Sequence, residues 1–221
     1  MNKLKSYLEK YGLLSLEKQD KLAFLVGEHI QQLDLDTGKI RFESLEFAFQ
    51  VLGTESDNTL TWLWAWADEQ DEIPSKLIVA ARELRNWGSR EDIPEFVTPS
   101  VDINKADGFL FSLIASEVCK ASCYYRDVYE GGNLFVLLFD KMIDHQPSFS
   151  LDRLSGQFLH LISRCDLNHR NVLLSYLTIK GLSPMKGASR IACLIESGEL
   201  LSAEFEESGR IQTLNGEAVE L

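Results

Sequence analysis

The sequence predicts an α+β protein in which antiparallel sheet elements pack with helices, followed by a small C-terminal β-meander of three strands. Several segments repeat apolar residues every three or four positions, as helices do, whereas others alternate apolar and polar residues, as strands do. Single strands do not alternate regularly with helices, which disfavours a parallel doubly wound sheet. We expect a main domain over residues 1–182, with the meander of residues 183–221 packed on it.

The N-terminal segment, residues 1–33, has helical periodicity. We expect Gly12 to break this helix and Ser15 to cap a second one. Two strands, at 40–43 and 46–53, should follow a turn, because the second alternates phenylalanine and valine with polar residues or alanine.

Residues 59–67 read TLTWLWAWA. Within them, residues 60–67 form the clearest predicted strand of the chain. Trp62, Trp64 and Trp66 share one face of that strand, where we expect them to be core residues. The alternative is an aromatic ligand pocket. Because the other face is also apolar, the strand should be central and covered on both sides.

The remaining elements follow from periodicity, proline and glycine. Gly88 and Gly181 are expected helix ends, and Gly131 is expected to turn a hairpin. The predicted helices are 74–87, 106–118, 151–165 and 169–180; the predicted strands are 121–129, 134–140, 190–196, 200–206 and 210–214.

Composition excludes several classes of function. The 221 residues include 34 acids and 22 bases, a net charge of −12, which disfavours nucleic acids and anionic membranes as partners. Charged residues and Gly12 interrupt the N-terminal apolar positions, so we expect no signal peptide. Four cysteines without a CxxC pair indicate reduced thiols and a cytoplasmic protein.

The acidity is concentrated in two blocks. Residues 43–75 carry a net charge of −8 and residues 191–221 carry −6, whereas residues 150–190 carry +4. One interpretation is that the blocks are solvated faces that keep the protein soluble. The other is that they steer a basic partner towards the protein.

Clustered carboxylates directly follow the tryptophan strand: Asp68, Glu69, Asp71 and Glu72. Such groups bind divalent cations or act as acid and base. However, acids are also favoured before a helix, and Pro74 suits the first position of one. We favour the capping interpretation.

Motifs for catalysis or cofactors are missing from the sequence. His160, Cys165, Asp166 and His169 match no zinc-site spacing. No glycine-rich phosphate loop and no serine nucleophile elbow is present. We therefore expect no metal, no cofactor and no catalytic residue, although a nucleophilic pair that meets only in space stays open.

Tyrosines surround an arginine in the predicted strand at 121–129. Tyr124, Tyr125, Arg126 and Tyr129 are of the residue types that anchor protein interfaces. The alternative is an aromatic ladder between neighbouring strands.

Two segments, LGTES at 52–56 and TWLWAWA at 61–67, resemble the LGT…TWLWAWA core of a bacterial family of unknown function. The similarity spans most of residues 1–185. The family's usual residue after the last alanine is asparagine, where this chain has Asp68. The resemblance implies a bacterial origin and a shared fold, and it carries no catalytic residue to this chain.

We expect an uncharacterised binding protein that acts without catalysis: an acidic interaction module, such as an immunity protein or adaptor, that masks a basic partner. A small-molecule or weak hydrolase domain with an aromatic pocket is the alternative, and a structural subunit of a larger assembly is a third. The sequence leaves the oligomeric state open. The candidate partner-binding residues are Glu55, Asp57, Asp68, Glu69, Asp71, Glu72, Tyr125, Arg126 and Tyr129.

Overall fold

A computed structural model describes residues 3–27, 31–68, 73–147, 150–195 and 198–218. Helices among these residues are α1 (Lys3–Val26), α2 (Val79–Glu91), α3 (Gly108–Val118), α4 (Lys141–Asp144), α5 (Leu151–Arg164) and α6 (His169–Ile179). Strands are β1 (Gln31–Asp34), β2 (Lys39–Phe42), β3 (Leu45–Ser56), β4 (Thr61–Trp64), β5 (Ser100–Asp102), β6 (Cys123–Tyr129), β7 (Gly132–Phe139), β8 (Met185–Lys186), β9 (Arg190–Leu194), β10 (Glu199–Phe205) and β11 (Ile211–Ala218).

The strands form two antiparallel sheets, which confirms the α+β prediction. One sheet has seven strands. Five of them follow the order β1-β2-β3-β4-β5, and β3 also pairs with β7, which in turn pairs with β6. The other has the order β11-β10-β9-β8, so the prediction of three C-terminal strands is wrong by one. The extra strand, β8, has only two residues, too few for an alternating pattern to be recognised.

By packing, the chain forms two compact units, one of Met1–Glu17 with Pro147–Leu221 and one of Lys18–Gln146. The four-stranded sheet thus groups with α5 and α6 in the first unit. The seven-stranded sheet, α2 and α3 belong to the second. The division into a main domain over residues 1–182 and a meander over residues 183–221 stays a prediction.

Helix α1 runs unbroken through Gly12, contrary to prediction. A Cβ at Gly12 would lie 2.9 Å from Cδ2 of Leu161, so this glycine permits a close approach and does not end the helix. The helix ends before Gly27, whose φ is +62°. The predicted helix also extended too far, because Gln31–Asp34 pair with β2 as a strand.

The tryptophan strand is shorter than predicted. It ends at Trp64, and a 3-10 turn over Ala65–Ala67 follows. Trp62 and Trp64 are fully buried, as expected of core residues, but Trp66 is only partly buried. Leu63 is 38% exposed, so the expectation that both faces are covered is wrong here.

An aromatic core covers the Trp62 face of the seven-stranded sheet. The ring centroids of Trp64 and Phe111 lie 4.8 Å apart, and those of Trp62 and Phe135 lie 5.4 Å apart. Helix α3 begins directly against these rings, where a Cβ at Gly108 would come within 2.6 Å of both Trp62 and Phe135. Only glycine therefore lets the helix start this close to the sheet.

The opposite face of the same sheet packs against α1 and α2. Its core includes Leu22 and Val26 of α1 and Ile78 and Ala81 near the start of α2. The strand residues buried there include Ile40, Phe42, Phe47, Phe49, Val51, Val136 and Leu138.

Helix α2 spans Val79–Glu91, whereas a helix over 74–87 was predicted. A 3-10 turn over Ser75–Leu77 precedes it, and Oε1 of Gln50 in β3 accepts the Val79 amide hydrogen at 3.0 Å. It continues through Gly88, which is buried against Phe96. The predicted hairpin is confirmed, with a φ of +89° at Gly131.

Candidate functional site

A groove of about 280 Å³ lies at one end of the seven-stranded sheet, within the Lys18–Gln146 unit. We call it the sheet groove. Thr54 of β3 pairs directly with Leu63 of β4 and with Leu134 of β7, so these three side chains point to the same face. The groove is lined by Leu35, Gly53, Thr54, Leu63, Trp64, Ala65, Asp68, Ile73, Tyr129 and Leu134.

The lining is mostly apolar yet reachable from solvent. Leu63 is 38% exposed and Tyr129 is 47% exposed. Leu35 and Ile73, which come from loops, are partly buried. Large apolar side chains that stay accessible in a concave site are typical of binding surfaces.

The polar side chains of the lining are few: Thr54, Asp68 and Tyr129. One Asp68 oxygen accepts the Ile73 amide hydrogen at 3.3 Å. Burial raises the pKa of Tyr129, and the negative charge of Asp57 raises it further. The phenol of Tyr129 and the carboxylate of Asp68 therefore accompany the apolar floor, and exposed Asp57 lies outside the lining. This arrangement favours a cation with an apolar stem.

The predicted partner-binding residues divide into several groups. Asp68 and Tyr129 line the groove, and exposed Asp57 acts on Tyr129 through its charge. Tyr125 instead packs edge-on against Phe42, with ring centroids 5.3 Å apart. Arg126 is exposed on the opposite face of β6. The positions of Glu69, Asp71 and Glu72 lie outside the described residues.

Glu55 is an interior residue, 9% exposed. Its Oε1 accepts the Gly108 amide hydrogen at 2.6 Å, and its Oε2 accepts from Nδ2 of Asn133 at 3.3 Å. Burial raises the pKa of Glu55, although the bond from Gly108 opposes that shift. The carboxylate caps α3, so it does not join the accessible surface we expected. Tyr124 is likewise buried.

The groups considered for metal binding or nucleophilic catalysis do not gather into a metal-binding cluster within the described residues. Among residues 3–27, 31–68, 73–147, 150–195 and 198–218, no three His, Cys, Asp or Glu side chains could hold a metal ion together. His160 is exposed, whereas Nδ1 of His169 accepts the Ile211 amide hydrogen at 3.0 Å. Burial raises the pKa of Cys119 to about 12 and raises that of Cys123 strongly.

Sequence reasoning missed the apolar residues of the groove. Leu35, Leu63 and Ile73 look like ordinary core positions in the sequence, yet all three keep some exposure, whereas Leu134 is buried at the groove floor. Their exposure depends on which segments pack around the sheet, and no local pattern reports that.

Comparison with known proteins assigns residues 5–142, which include most of the Lys18–Gln146 unit, to one family. No helix in the described ranges is both long and apolar enough to span a membrane. No curated protein and no solved structure matches the chain. A family model matches residues 5–142, more than half of the chain and all of the groove. The chain therefore belongs to a family of unknown function (DUF6882).

Proposed function

We propose that this protein binds a basic protein partner and that the sheet groove accepts a lysine or arginine side chain of that partner. The observation that supports this is the apolar floor of Leu63 and Leu134 beside the carboxylate of Asp68. Lysine and arginine bury an apolar stem while their cationic heads seek anionic or polar groups. Tyr129 adds an aromatic ring, which also attracts cations.

The groove is large enough to accept a single side chain. Its volume of about 280 Å³ is close to the lower end of the range of small-molecule pockets, about 300–1,000 Å³. The net charge of −8 over residues 43–75 would steer a basic partner and add rim contacts. Action as a bacterial cytoplasmic immunity protein or adaptor stays a prediction within this proposal.

A pair of matched peptides tests the proposal. One peptide carries a lysine between leucines, and the other replaces that lysine with uncharged norleucine. In an NMR titration of the full chain, we expect the lysine peptide alone to give saturable shifts at the Thr54, Leu63 and Tyr129 amides. Binding should weaken as ionic strength rises, because salt screens exposed charges.

Variants of the carboxylates supply the controls. Asp68→Asn and Asp57→Asn should each weaken binding of the lysine peptide about three- to ten-fold, as expected for loss of one charge contact. Glu83→Gln removes an exposed acid of the same unit outside the groove and should change nothing. Equal binding of both peptides, or no effect of the two aspartate variants, would contradict the proposal.

The native partner can then be sought with the same variants. A partner that uses the groove should be captured from the host by the wild-type chain and by Glu83→Gln, and lost with the Asp57→Asn/Asp68→Asn double variant. Tight saturable binding of a free amine such as agmatine, with no protein captured, would instead favour a small-molecule site.

A further inference from the structure

We infer that the unit of Met1–Glu17 with Pro147–Leu221 carries a second site, a cleft between α1 and α6 that binds a small organic anion. The cleft has a volume of about 440 Å³, within the range of small-molecule sites. Ser6 and Lys10 line it from α1, Ser175 and Thr178 from α6, and Lys186 from β8. It shares no residue with the sheet groove, so it stands independently of the function proposed above.

The charge available in the cleft is positive. Within the described residues, neither Lys10 nor Lys186 forms an ion pair. Instead, the Lys10 ammonium lies 4.8 Å from the centroid of the Tyr11 ring. Both lysines are exposed, so their charges can meet an anion that enters the cleft.

The one carboxylate in the lining is already committed to the fold. Glu9 is 8% exposed. Its Oε1 accepts the Asn168 amide hydrogen at 2.8 Å, and its Oε2 accepts from Nδ2 of Asn171 at 2.9 Å. These bonds satisfy both oxygens, so Glu9 joins α1 to the start of α6. The two lysines outnumber this one carboxylate, so the lining keeps a positive net charge.

Hydrogen bonds also hold β8, which contributes Lys186 to the cleft, in place. Arg170 of α6 donates from one guanidinium nitrogen to the Gly187 carbonyl at 2.7 Å and from another to the Ala188 carbonyl at 3.1 Å. These carbonyls directly follow Lys186, so the bonds keep β8 beside the helix. Because hydrogen bonds already hold the elements that line the cleft, the protein loses less conformational entropy when a ligand binds.

The lining identifies the class of ligand. Ammonium groups and hydroxyls donate hydrogen bonds to the oxygens of carboxylates and phosphate esters. Leu174 and Ile179 provide an apolar wall beside these donors, and Ile179 is 46% exposed. The combination suits an anion with an apolar part.

An NMR titration of the full chain with phenyl phosphate and with benzoate, at constant ionic strength, tests the site. We expect saturable shifts at the Asn171, Ser175, Thr178 and Lys186 amides. Lys10→Gln and Lys186→Gln should each weaken binding about ten-fold, the usual effect of one lost charged hydrogen bond. Lys141→Gln, an exposed lysine of the other unit, is the matched control.

The two probes also separate the possible head groups. Tighter binding of phenyl phosphate would assign a phosphate ester, and tighter binding of benzoate would assign a carboxylate; either result supports the site. Shifts that spread over the surface without saturation would overturn it, as would equal affinities for the wild type and both lysine variants. Amide spectra of the unliganded variants establish that each remains folded.

Discussion

Two polar residues of β3 organise helices that lie far away in the sequence. Gln50 accepts amide hydrogens from Val79 and Ala80 at the start of α2. Glu55 accepts the amide hydrogen of Gly108 at the start of α3. The first amides of a helix have no partner within it, so both side chains satisfy such groups. Only the bond at Gly108 is buried, whereas the one at Val79 is exposed.

Removing the Glu55 carboxylate should destabilise the protein. Glu55→Ala leaves the Gly108 amide hydrogen without its acceptor and should lower the free energy of unfolding by about 1–2 kcal/mol. Glu55→Gln keeps an acceptor and should cost less. Urea denaturation measures both. Equal free energies for Glu55→Ala and the wild type would show that the cap contributes nothing.

The same residue predicts a dependence of stability on pH. Burial raises the pKa of Glu55 above its ordinary value of 4.5, so the folded protein holds this proton more tightly than the unfolded chain does. The free energy of unfolding should therefore fall as pH rises from 4.5 through the raised pKa. Glu55→Gln should lack this component. Parallel pH profiles for the two proteins would contradict the assignment.

The two core tryptophans should differ in how well they tolerate phenylalanine. Nε1 of Trp64 donates to the Glu95 carbonyl at 2.9 Å, whereas Nε1 of Trp62 has no acceptor among the described protein atoms. Both substitutions leave a cavity, but only Trp64→Phe also loses a hydrogen bond. It should cost about 1 kcal/mol more in the free energy of unfolding than Trp62→Phe. Equal losses in urea denaturation would contradict this.

At the scale of elements, the start of α6 is tied to the turns of the four-stranded sheet. Asn168 caps the helix by accepting the Asn171 amide hydrogen at 3.0 Å. The Arg170 amide donates to the Gly209 carbonyl, and His169 accepts from Ile211 at the beginning of β11. Asn168 thus caps the helix, while His169 and Arg170 connect its start to the four-stranded sheet.

His169 should make this attachment sensitive to acid. Burial lowers the pKa of His169 below its ordinary value of 6.5, Arg210 lowers it further, and Asp166 opposes the shift. Protonation also places a hydrogen on Nδ1, which accepts the Ile211 amide. The contribution to stability is therefore present above pH 6.5 and is lost as pH falls through the lowered pKa.

Hydrogen exchange at the Ile211 amide measures this effect, with unfolding free energies recorded between pH 5 and 8. His169→Asn keeps a side-chain acceptor and cannot be protonated in this range, so its profile should be flatter than that of the wild type. A wild-type profile with no decrease below pH 6.5 would show that the imidazole is not part of the attachment.

For the molecule as a whole, none of the four cysteines forms a disulfide, so stability depends on packing. Burial raises the pKa of Cys119, Cys123 and Cys193, and the thiolate is the form that reacts. We expect iodoacetamide to modify the folded protein slowly and the urea-unfolded chain readily. Mass spectrometry counts the modified sites. Rapid modification of a thiol before unfolding would contradict the expectation.

The fold class could be predicted because its signals are local. Helices α5 and α6 and the β6–β7 hairpin lie close to their predicted positions, since periodicity and glycine turns act over a few residues. Gly12 and Gly88 were misjudged because each depends on a distant side chain, Leu161 or Phe96. Glycine allows both a helix end and a close approach.

The candidate site could be predicted only in part, since Asp68 and Tyr129 were chosen for their chemistry but their apolar companions were not. The sequence by itself determined the antiparallel α+β class, the uneven charge and the buried Trp62 and Trp64. Only the tertiary structure decided that Glu55 caps a helix and that Leu63 remains exposed. The reason is physical: exposure and hydrogen-bond partners depend on which segments meet in space, whereas periodicity and charge belong to the chain itself.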